Sequence, residues 1–134
     1  MGLWVYGFMG LWVYGFMMYD FPALEYFHSI YAMLKPGGIF GIVDHRGVES
    51  ITQDPTGENG YVNQSHVLML AKNAGFELLD QSEINGNPLD IKNYPDGVYS
   101  LPPTLRGSRF NRGARSRMQA IGESDRMTLK FIKR

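Results

Sequence analysis

Apolar positions recur at two spacings along this chain, and the spacings divide it into helices and strands. Leu24, Phe27, Ile30, Tyr31 and Leu34 fall three and four apart, the period of a helix with one buried face. Asp20 can cap such a helix, and Pro22 stands in a first turn where its missing N–H costs no bond. The spacing predicts a helix over 22–34. Pro36-Gly37-Gly38 ends it, because proline disfavours helix before itself and glycine permits positive φ. Ile39 to Val43 is almost continuously apolar, the pattern of a strand covered on both faces. Residues 46–60 are polar and glycine-containing and read as a loop. Val67, Leu68, Leu70 and Ala71 predict a second helix over 63–74, opened by Asn63 or Ser65 and closed by Gly75. A strand follows over 76–83. From 85 to 123 the pairs Asn-Gly, Asn-Pro, Asp-Gly and Pro-Pro predict a long irregular connection. Alternation from Arg126 to Lys133 predicts a final strand. Helix-to-strand turns this tight belong to the α/β class.

The first eighteen residues carry no charge and contain an octapeptide, GLWVYGFM, twice in succession. Trp, Val, Tyr and Phe between glycines fit two short strands. A membrane or interfacial segment is a second reading, although the run is shorter than the roughly 20 apolar residues of a spanning helix and has no basic flank. An artificial leader is a third. No basic n-region or small-residue cleavage site marks a signal peptide. The chain thus divides into a duplicated segment, 1–18, and a domain, 19–134.

Composition narrows the chemistry. The 134 residues suffice for one domain with a core. Thirteen basic residues balance thirteen acidic ones, so no bulk field argues for nucleic acid or an anionic membrane. The absence of cysteine excludes disulfides, thiolate zinc sites and a cysteine nucleophile. The three histidines, His28, His45 and His66, have no metal-ligand spacing. Cytoplasmic and periplasmic locations both stay open.

The segments Leu34–Gly38 with Asp44-His45, Ala74–Phe76 with Asn87-Pro88, Leu101–Arg106, and Ser124–Phe131 together resemble class I S-adenosylmethionine-dependent methyltransferases, and most closely a bacterial group of them. The resemblance spans about residues 19–134. It implies a partial Rossmann-like methyltransferase sheet, with helices on both faces and the last strand antiparallel. In that frame YAMLKPGGIFGIVDH supplies the helix before strand five and strand five itself. LMLAKNAGFELLDQSE supplies the next helix and strand six, and the C-terminal residues supply strand seven. One copy of the octapeptide then stands for strand four. That implies Met18 and Tyr19 beside the cofactor, and Asp20 near the substrate. The family's glycine-rich cofactor loop, a strand–GxGxG–helix, has no counterpart in these residues. The resemblance therefore implies the C-terminal half of the fold, inactive alone.

Asp44 and His45 stand where a strand ends, the place where open α/β sheets bind ligands. Asp44 and Arg46 are candidate substrate contacts, and His45 is a candidate general base. The alternative makes Asp44 a turn cap and His45 a surface residue; Asp20 likewise serves as a plain helix cap. The implied reaction is methyl transfer from S-adenosylmethionine to a small-molecule acceptor, without a metal. The implied partners are a missing N-terminal half or a second copy of the chain. A non-catalytic interaction module, dimerising through the bare strand-four edge, is the second hypothesis. Arg106, Arg109, Arg112, Arg115 and Arg117 suggest a third, RNA association marked by steep salt dependence. With one aromatic residue among them, Phe110, a solvated loop is the preferred reading of that stretch.

Overall fold

A computed structural model describes residues 3–5, 23–53 and 57–134. Most of the repeat lies outside the described residues, as do Met18, Tyr19 and Asp20. The elements are β1 (Leu3–Val5), α1 (Ala23–Met33), β2 (Ile39–His45), α2 (Gln64–Ala74), β3 (Glu77–Ser82), a 3-10 turn (Gly97–Ser100), α3 (Arg112–Ile121) and β4 (Arg126–Ile132).

In α1 the helical period buries Ala23, Phe27 and Ile30, and Leu34 just beyond its end, whereas Leu24 lies on the outer flank, 36% exposed. The helix leaves unpaired carbonyls at its C-terminus. Lys133, at the far end of the sequence, satisfies two of them: its Nζ donates to Tyr31 O and Leu34 O, each at 2.8 Å. The same ammonium lies 4.4 Å from the centre of the Tyr31 ring. The Pro36-Gly37-Gly38 turn is stitched to the end of β4, with Lys133 N donating to Gly38 O at 3.0 Å. Helix α2 ends as its sequence predicts. Gly75 adopts φ 111°, and Phe76 N donates back to Ala71 O.

The sheet order is β1-β2-β4-β3. β1 runs parallel to β2, while β4 lies antiparallel between β2 and β3. Phe40 and Ile42 of β2 and Met127, Leu129 and Phe131 of β4 share one face, and they form a single core with α1 and α2. Four phenylalanines tile its centre. The Phe40 ring lies 5.7 Å from Phe27, 5.3 Å from Phe76 and 6.3 Å from Phe131, all tilted, the arrangement aromatic quadrupoles favour.

Two expectations need correction. The two helices that build the core, α1 and α2, do not lie one on each face: both cover the same one. On the other, Ile39, Val43, Thr128, Lys130 and Ile132 are half-buried. The reason is topological. From β1 to β2 to β3 the parallel strands advance in one direction, and right-handed crossovers advancing one way place their helices on one side. The second correction concerns 85–123, which contains α3. Asn111 caps it, its side chain accepting from Ala114 N at 3.1 Å, and Gly122 closes it.

Candidate functional site

β2 runs two residues further than its apolar stretch, through Asp44 and His45. Successive strand residues point to opposite faces, so these two neighbours part company. Asp44 follows Phe40 and Ile42 towards the helices and is 3% exposed. Burial pushes its carboxyl up to about 8, against the 2.7 Å hydrogen bond it accepts from His45 N. Asp44 is thus neither a surface turn cap nor on the same side of the sheet as His45.

His45 lies opposite Arg126 in the β2–β4 register, on the face away from the helices. Its Nδ1 is hydrogen-bonded to Ser124 Oγ. Burial, and after it the nearby Arg126 charge, together lower the imidazole to about 4 against the opposing pull of Asp90 and Glu123. His45 is therefore neutral at pH 7. A neutral imidazole carries one N–H and one acceptor nitrogen, and the Ser124 hydroxyl can partner Nδ1 in either role.

Arg46 begins the next loop, and its guanidinium is fully used. Nε and one terminal nitrogen grip both Asp125 oxygens at 2.9 and 3.0 Å. Glu83 takes two further bonds at 2.8 and 2.5 Å, and Gln64 Oε1 takes the last at 3.1 Å. Those five bonds exhaust the donors of an arginine. Substrate contact by Arg46 therefore requires releasing one of these partners. Asp125 also accepts from Lys92 Nζ and Asn87 N, each at 2.8 Å. Burial alone raises a carboxyl, but Arg46 and Lys92 together hold Asp125 well below the usual carboxylate range. Removing one partner of such a pair strands a charge and typically costs about 3 kcal/mol or more.

The connection from 85 to 96 is thereby pinned to the sheet. Asn87 Nδ2 donates to Ile121 O and Glu123 O, each at 2.7 Å. Asp90, 6% exposed, accepts from Asp125 N at 2.8 Å and Lys92 N at 2.9 Å, and the Tyr61 hydroxyl lies 3.0 Å from both its oxygens. Burial and the Asp90 charge push the Tyr61 phenol up, so it stays a donor. Ser124, Asp125, Asp90 and Lys92 are the site residues that sequence reading passes over. Ser124-Asp125 and Asn87-Pro88 sit inside the segments that carry the family resemblance, which is their one signal. A cleft of about 240 Å³ opens over this network, lined by Arg46, Glu83, Gly86, Asn87, Pro88 and Asp125.

The glycines beside the strand end and the cleft, Gly47 and Gly86, do not form a cradle for S-adenosylmethionine. A cofactor loop needs glycines whose missing Cβ leaves room for the ligand. A Cβ on Gly47, just past β2, meets Asn63 Oδ1 at 2.5 Å, and one on Gly86 meets Glu83 Oε2 at 2.8 Å. Protein atoms fill both spaces. The positions that the resemblance places beside the cofactor, Met18 and Tyr19, lie outside the described residues. Among the described residues no three His, Asp or Glu side chains gather as metal ligands. No family model, curated protein or solved structure matches this chain.

Proposed function

We propose that this chain carries the C-terminal half of a class I methyltransferase sheet, and that its activity class is S-adenosylmethionine-dependent methylation of a small molecule. A working cofactor site then draws on residues outside 23–134, from a missing N-terminal half or from a second copy of the chain. The observation that supports this reading is the strand order β1-β2-β4-β3, with β4 reversed between two strands of like direction. A last strand inserted antiparallel beside strand five is what the sequence resemblance implies.

In this reading His45 is the group that takes up a proton. Its imidazole is neutral at pH 7, so one ring nitrogen can accept a proton, and Ser124 holds the ring through Nδ1. Arg46, Asp125 and Lys92 hold the loops beside it in place. Asp44, protonated and buried, acts as a polar anchor under the strand end. The cofactor contacts come from outside residues 23–134. β1 is the outer strand through which a second chain joins.

Calorimetric titration with S-adenosylhomocysteine, on samples of known mass by light scattering, tests this. Saturable heat near one per chain is expected in proportion to the dimer present. A folded monomer that binds one equivalent overturns the need for either source. Folded monomer and dimer that both bind none remove methyl transfer from this polypeptide and leave the interaction module, which uses the same edge without a cofactor.

A further inference from the structure

The chain as a whole is neutral, yet its charge is segregated. Residues 97–122 contain five arginines and no acidic residue or lysine. The remaining residues therefore carry an excess of five acids. The arginines surround α3, which the structure makes a real helix rather than a solvated loop.

Ala114, Met118 and Ile121 recur at helical spacing and are half-buried, so this flank of α3 leans on the body of the protein. Arg112, Arg115, Ser116 and Gln119 point the other way and are exposed. Arg109 and the 99% exposed Phe110 stand immediately before the cap residue Asn111. Among the described residues Arg109, Arg112, Arg115 and Arg117 make no ion pair and no side-chain hydrogen bond, whereas Arg46, Arg126 and Arg134 are all paired. Arg106 is set apart, stacked 4.4 Å over the Tyr99 ring.

We propose that the outer face of α3, with Arg109 and Phe110, binds a single-stranded nucleic acid through its phosphate backbone. Guanidinium groups present paired donors matched to phosphate oxygens. Arg112 and Arg115 are neighbours on one helix face, and Arg109 extends the row beyond the N-terminus. Phe110 adds one flat apolar surface on which an unpaired base stacks. A bilayer is the poorer fit. An interfacial helix buries an apolar face in lipid, and here that face is already turned to the protein. The inference stands apart from the methyltransferase reading, since it uses none of the residues around His45.

The test is fluorescence anisotropy of a labelled twelve-nucleotide oligouridine titrated with the full chain. DNA of the same length and phosphatidylserine vesicles run in parallel. Three phosphate contacts give a log K against log salt slope of about −2, hence about twentyfold weaker binding at 200 than at 50 mM salt. The double variant Arg112→Gln, Arg115→Gln should flatten the slope to about −0.7, and Phe110→Ala should weaken binding about tenfold. Lys35→Gln, on the exposed turn after α1, should leave both unchanged. All these side chains are exposed, and circular dichroism checks that the variants fold. Binding that is absent, insensitive to salt, undiminished in the double variant or confined to the vesicles overturns the proposal. Equal affinity for RNA and DNA means the backbone alone is read; preference for RNA adds a contact to the 2′-hydroxyl.

Discussion

Asp44 and His45 are adjacent in sequence yet make opposite contributions to stability. Asp44 is raised from 3.8 to about 8 by burial. The folded chain therefore holds a proton there that the unfolded chain releases, and the stability this gives is lost as pH climbs through that window. His45 is lowered from 6.5 to about 4, again chiefly by burial. Its contribution is present above pH 6.5 and is lost as pH falls towards 4. Below pH 6.5 the two slopes oppose each other; between about 6.5 and 8 only that of Asp44 remains. The melting temperature should therefore fall from pH 6.5 to pH 8, and Asp44→Asn should abolish that fall. An unchanged slope in the variant, followed by thermal circular dichroism, would show that Asp44 is ionised in the folded chain. The identity of these residues as strand-end polar groups is legible in the sequence. Which face each takes is not, because it depends on the strand continuing through both.

Among the elements, those with their own local punctuation are the legible ones. Gly75 ends α2 and Pro36-Gly37-Gly38 ends the α1 segment as local chemistry requires. The two glycine turns differ in their surroundings, and that difference is testable. Gly37 has φ 84° with nothing within 4 Å of an added Cβ, while Gly75 has φ 111° with the Tyr31 ring 2.9 Å from it. Gly37→Ala should cost about 1 kcal/mol, the backbone strain alone. Gly75→Ala should cost roughly twice that or more, since the ring must also shift. Urea unfolding of both variants measures the gap, and equal losses would remove the Tyr31 contact from the account. Helix α3 is less legible. Asn111, the Ala114–Met118–Ile121 spacing and Gly122 do mark it, but Gly113 and the arginine-rich composition imitate a loop. Its Asn111 cap becomes evident only once the side chain is seen accepting from Ala114 N.

For the whole molecule the two outer strands of the sheet, β1 and β3, differ in what they offer another chain. All six residues of the outer strand β3 are exposed, which makes it a ready template for another strand. It is guarded three ways. The ladder to β4 slips between Leu78 and Asp80, Asp80 puts a charge on the strand, and its Oδ1 accepts from Gln81 N at 2.8 Å. Asp80→Ala should therefore raise the mass seen by light scattering in a concentration-dependent way, and an unaltered mass would mean the slip in the ladder suffices. By itself the sequence determined the helix periods, their caps, the turns and the α/β class, because these depend on residues within a few positions of one another. Tertiary structure alone decided the placing of α1 and α2 on one face, the insertion of β4 between β2 and β3, and the joining of Arg46 to Asp125 across 79 positions. Those outcomes depend on which strands meet and which way each crossover turns, and no local spacing records either.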